Sequence, residues 1–80
     1  MIRYRRKQIV RTKAPIGSGS PLQQTLLKLP LLKDWTTPLN VTPLVKTFMY
    51  KGKQYRSSNR DVQEALDQLV NLGVLDKKND

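Results

Sequence analysis

The sequence predicts a small α+β fold: two or three helices with a β-hairpin in one domain, preceded by a flexible basic arm. Three observations carry that expectation. Val62, Ala65, Leu66, Leu69 and Val70 recur at i, i+3, i+4, i+7 and i+8, the stripe of an amphipathic helix. Lys51-Gly52 sits between two short runs of strand-favouring residues, as a hairpin turn does. The charge is lopsided: the first acid is Asp34, and eight of the 15 cations precede it in a chain of net charge +9.

Residues 1–20 read as the arm, disordered on its own. Arg3, Arg5, Arg6 and Lys7 cluster around Tyr4, Arg11 and Lys13 follow, and Ala14-Pro15-Ile16-Gly17-Ser18-Gly19-Ser20 has linker chemistry. The folded domain is then expected over 21–76, with 77–80 as a polar tail. A first helix starts at Pro21, with Ser20 as N-cap and proline in the tolerated first position. Leu22, Leu26, Leu27 and Leu29 share a side, and Pro30 ends or kinks the helix. Leu31, Leu32 and Trp35 continue as an apolar turn, which assigns Trp35 to the core.

Two readings are open for residues 36–48. Thr42 can cap a short helix opening at Pro43, or Val45, Thr47, Phe48 and Tyr50 can form a strand. In the hairpin, a two-residue loop sets Phe48 opposite Tyr55 and Tyr50 opposite Lys53. Alternation then puts Phe48 in the core, away from Met49. The last helix is capped by Ser58, with Asp61 placed for a capping box, and stops at Gly73, where Val74 folds back on Leu69.

The run from Arg60 to Leu75 resembles the third helix and following strand of winged helix-turn-helix domains, where an Ala-Leu pair and a later Leu lead into Gly and two apolar residues. The likeness covers about sixteen residues and implies DNA binding and transcription regulation. The hairpin ahead of the helix, and the few polar residues after Leu75, depart from that pattern.

Composition narrows the function further. The chain has no His and no Cys, which removes thiol chemistry, His-based triads and Cys/His metal sites. An enzyme is not expected, nor a cofactor. No apolar run reaches the ~20 residues of a membrane span. The lack of Cys fits a reducing compartment, the cytoplasm, nucleoid or nucleus.

A like-charged block calls for a polyanion, and nucleic acid is the expected partner. The candidate contacts are Arg3, Arg5, Arg6, Lys7, Arg11 and Lys13 of the arm, Lys51, Lys53 and Arg56 of the hairpin beside Tyr50 and Tyr55, and Arg60. On the last helix Glu64 and Asp67 oppose insertion along a groove. Only its first turn, Asn59, Arg60 and Gln63, suits base contact. The rival reading is a basic interaction protein, an accessory subunit or phage-type inhibitor, docking on an acidic protein surface. A protein partner or a homodimer would then meet the Leu-rich first helix and Trp35.

Overall fold

Two short runs at opposite ends of the chain share a period-2 pattern, and each needs a partner to satisfy its backbone. In the computed structural model, which describes residues 1–7 and 20–79, they find each other. Strand β1 (Ile2–Arg6) pairs antiparallel with β4 (Leu75–Asn79), setting Arg3 opposite Lys78, Tyr4 opposite Lys77 and Arg5 opposite Asp76. This corrects two expectations. Residues 2–6 are a strand with a buried centre rather than a disordered arm, and the polar tail is strand as far as Asn79. The folded unit therefore extends beyond 21–76 at both ends. The middle of the expected arm, residues 8–19, lies outside the described residues.

Alternation gives this terminal sheet two unlike faces. The inner face carries Tyr4, fully buried, and Leu75, 1% exposed. The Tyr4 hydroxyl donates to Asp67 Oδ1 at 2.5 Å. A rung is added on the other side of β1, where Tyr4 and Thr36 exchange backbone bonds of 2.8 and 2.9 Å.

Helix α1 (Pro21–Leu27) opens as its sequence dictates, with Ser20 Oγ accepting from the Gln23 N–H. A 3-10 turn at Pro30–Lys33 follows and buries Leu32. Helix α2 (Pro38–Val45) resolves the open stretch. Thr37 and Pro38 repeat the cap-then-proline pairing of Ser20 and Pro21, so the helix starts one proline earlier than Pro43. Thr42, inside the helix, instead turns its hydroxyl back to the Pro38 carbonyl at 2.8 Å. Pro43 has no N–H for the Leu39 carbonyl; both residues are exposed, so water can serve that carbonyl.

The strand alternative is also realised, one step later. Strands β2 (Thr47–Tyr50) and β3 (Lys53–Arg56) form the hairpin in the expected register, Phe48 opposite Tyr55 and Tyr50 opposite Lys53. Lys51 and Gly52 both take positive φ, 50° and 79°, which is the twist a two-residue loop requires. Helix α3 (Asn59–Asn71) carries the full capping box between Ser58 and Asp61. It ends on Gly73, at φ 79°, with Gly73 N–H bonded to Val70 O and Val74 N–H to Leu69 O, both at 3.0 Å.

The fold is α+β: the described residues form three helices and two separate two-stranded antiparallel sheets around one core. That core joins Tyr4 and Leu75 of the terminal sheet to Leu26, Leu32, Val41, Val45 and Phe48, and to the α3 stripe Val62, Ala65, Leu66 and Leu69. Among the described residues, no helix is long and apolar enough to cross a membrane.

Candidate nucleic-acid interface

The outer face of the terminal sheet follows from the same alternation that buries Tyr4. Arg3 and Arg5 project from β1 on the side opposite Tyr4, with Asp76 and Lys78 beside them on β4. The Tyr4–Thr36 rung sets Trp35 next to Arg5. The Arg5 guanidinium lies 4.5 Å from the Trp35 ring centroid and the Lys78 ammonium 4.6 Å. Trp35 is therefore half-buried on the outer surface, between two cations, and not in the core. Its backbone is fixed as well, since its N–H donates to Asp34 Oδ1 at 2.8 Å.

The carboxylates here are few. Asp76 stands 3.9 Å from both Arg5 and Lys7, a loose, partly exposed contact shared by two cations. Such pairs contribute roughly 0–1 kcal/mol each. Among the described residues, Arg3, Arg5, Lys7 and Lys78 outnumber Asp76 and the neighbouring Asp34, so the face is positive on balance. Like charges directly opposite across a ladder, as Arg3 and Lys78 are, oppose strand pairing. The fold tolerates that arrangement because the inner face of the same strands is buried.

Arg6 is a different case. Alternation points it inward, where Nη1 donates to Leu27 O and Nη2 to Leu29 O, each at 2.8 Å. Its fork closes the C-terminal end of α1, where a cation also suits the helix dipole. Arg6 is thus removed from the phosphate contacts that sequence assigned to it. Arg11 and Lys13 lie outside the described residues.

Beneath the sheet, Asp67 ties β1 and β4 to α3. It accepts from the Tyr4 hydroxyl and, at 2.9 Å, from Lys77 Nζ. Burial first, then the bond to Asp67 and its negative charge, push the Tyr4 phenol well above its ordinary value. Burial would also raise the Asp67 carboxyl, but the bonds from Tyr4 and Lys77 outweigh it and hold the group below the usual range. Lys77, committed to this bond, is not a member of the outer face.

The hairpin holds Lys51, Lys53 and Arg56 on a separate sheet. Its rings turn inward: Phe48 and Tyr55 stack at 5.5 Å, Tyr50 meets Tyr55 edge-on at 6.5 Å, and both tyrosines pack on the core. Lys51 Nζ lies 5.4 Å from the Tyr50 ring. Between this hairpin, the start of α1 and α3 runs an open groove of about 270 Å³ with Arg56 on its edge, but Asp61 and Glu64 also line it. Arg60, beyond it, pairs with its own helix neighbour Glu64 at 3.3 Å. The first turn of α3 is nonetheless close to the chain start, since Asn59 and Gln63 share a shallow groove with Met1 and Ile2.

The leucines named for protein docking are mostly used internally. Leu26 and Leu32 are fully buried, and Leu22, Leu27 and Leu29 pack against the core. Exposed apolar side chains occur on α2, at Leu39 (68%) and Leu44 (53%) beside the exposed Pro43, and singly elsewhere, as at Met49 of the hairpin and Leu72 after α3. Sequence reasoning put Trp35 in the core, or against a protein partner in the rival reading, and did not name Lys78. The signal available was the alternation Ile2-Arg3-Tyr4-Arg5, which marks a half-buried strand and so an outer face for something to cover.

No family model, curated protein or solved structure matches this chain. None of these comparisons bears on the winged helix-turn-helix likeness of residues 60–75.

Proposed function

We propose that this protein binds nucleic acid through the outer face of its terminal sheet. The observation that carries the reading is Trp35 set on a sheet surface between Arg5 and Lys78, with Arg3 and Lys7 beside them. Charge and ring together are the chemistry of nucleic-acid grooves, in which cations follow the phosphates and a π-face meets a base. The face has a fixed shape because both strands are pinned from below by Tyr4, Leu75 and the Asp67 bonds. It works as a binding surface. The hairpin cations Lys51, Lys53 and Arg56 supplement it from a second sheet.

The experiment is a titration against oligonucleotides at two salt concentrations. Four contacts, from Arg3, Arg5, Lys7 and Lys78, correspond to a slope of log affinity on log salt of about −3 to −4. Arg5→Ala with Lys78→Ala is expected to reduce that slope by about 1.5 to 2, whereas Lys51→Ala with Lys53→Ala changes it less. An unchanged slope in the first pair would remove the terminal sheet from the interface.

A second reading is favoured by Leu39, Pro43 and Leu44 on α2. There the protein docks on an acidic protein surface, using α2 rather than the first helix, and its net charge of +9 steers the encounter. Oligonucleotide affinity too weak to measure at low salt would favour it.

A further inference from the structure

We infer that the nucleic acid taken by this face is single-stranded, and that Trp35 is the platform on which one of its bases stacks; the inference rests on the nucleic-acid reading above. A duplex covers every base face with the next base pair, so only an open strand offers a π-face to a ring lying on a sheet. The other described elements are poorly built for a duplex groove. Helices α1 and α2 carry no cation, and α3 exposes Asp61 and Glu64 on its outer side. The hairpin rings are turned onto one another and the core, which leaves Trp35 as the ring that the cationic surface presents.

The geometry also supplies the exchange. Arg5 and Lys78 now rest 4.5 and 4.6 Å from the ring centroid, so each is within one side-chain swing of a phosphate flanking a base on that ring. Phosphates draw the two cations off the indole and the base takes their place. Cation–π contacts are exchanged for ion pairs plus a stack, with no group having to cross the core. The Tyr4–Thr36 rung and the Asp34 bond hold the Trp35 backbone still while this happens, so the ring is positioned before ligand arrives.

Trp35 is the single tryptophan, so its emission reports this site alone. The full chain is titrated at matched salt with a short oligothymidylate, a mixed-sequence duplex of equal length, and inorganic polyphosphate. The oligothymidylate is expected to bind at least tenfold tighter than the duplex and to protect Trp35 from acrylamide. Polyphosphate, which removes the cations without supplying a base, is expected to make Trp35 more accessible. Trp35→Leu, which keeps an apolar cover over Arg5, should lose about tenfold in single-strand affinity at an unchanged melting temperature. Trp35→Phe should recover most of that loss. Equal affinity for duplex and single strand, no acrylamide protection, or full affinity in Trp35→Leu would overturn the stacking inference and leave the electrostatic reading standing. Failure of the unmodified chain to bind either oligonucleotide would overturn both.

Discussion

The two sheets of this protein are the same size in strand number and both are basic, yet they are assembled by opposite means. The hairpin β2–β3 closes over two residues, and its stacked Phe48 and Tyr55 face each other directly across the ladder. The terminal sheet β1–β4 joins Ile2 to Asn79 across nearly the whole chain, and the energy for that closure comes from what lies under it: Tyr4, Leu75 and the Asp67 bonds. A local sheet can afford inward rings and solvated lysines. A non-local one needs a deep anchor, and by committing Tyr4 inward it leaves the opposite face to Arg3, Arg5, Lys78 and the adjoining Trp35. The cation–aromatic surface is a by-product of how the chain ends are tied together.

The largest test of that contrast removes the anchor. Tyr4→Ala deletes a fully buried ring and its bond to Asp67, a loss of about 3–5 kcal/mol. Domains of this size rarely hold more than that, so the variant should lack a cooperative thermal transition by circular dichroism. Deleting residues 1–7 should do the same, since it uncovers Leu75. A truncated chain that melts like the full one would restore the picture of a flexible arm outside the folded domain.

That picture was what the sequence alone suggested, and the reason is instructive. Elements set by neighbours were legible: the Ser20 and Ser58 caps, the Lys51-Gly52 turn, the Phe48–Tyr55 register and the Gly73 stop all depend on residues a few positions apart. The β1–β4 pairing has no local signal, and the charge of Arg3, Arg5, Arg6 and Lys7 concealed the alternation of Ile2 and Tyr4 beneath it. Trp35 was drawn toward the core by Leu31 and Leu32, although Leu31 itself is exposed. Of the proposed site, Arg3 and Arg5 can be named as candidates from sequence, and the surface that holds them cannot. Its ring and its second strand arrive only through long-range pairing.

The anchor also has a pH signature. Asp67 is held below the ordinary carboxylate range, so its contribution is present above about pH 4 and is lost as acid protonates it in the folded state. Tyr4 is raised, so its contribution is complete below about pH 10 and declines as alkali ionises the unfolded phenol first. Denaturant midpoints measured across both limbs should show Asp67→Asn flattening the acid side and Tyr4→Phe the alkaline side. Each substitution costs on the order of 1 kcal/mol at neutral pH, the scale of one partly solvated hydrogen bond. Acid and alkaline limbs unmoved by both variants would mean that Asp67 does not tie the sheet to α3.

The smallest effect belongs to the hairpin, and its sign is the informative part. Lys51 holds a left-handed φ of 50° that a lysine adopts at some cost, whereas Asn tolerates that region and is favoured at this turn position. Lys51→Asn should therefore stabilise the fold by about 0.5 kcal/mol. It also removes a cation near Tyr50, so the same variant separates the two sheets in function. If the terminal face carries nucleic acid, Lys51→Asn raises the denaturation midpoint while oligonucleotide affinity stays within twofold. A large affinity loss in this stabilised variant would place the principal contact on the hairpin, and the outer face of β1 and β4 would then be a tether for the chain ends with no ligand of its own.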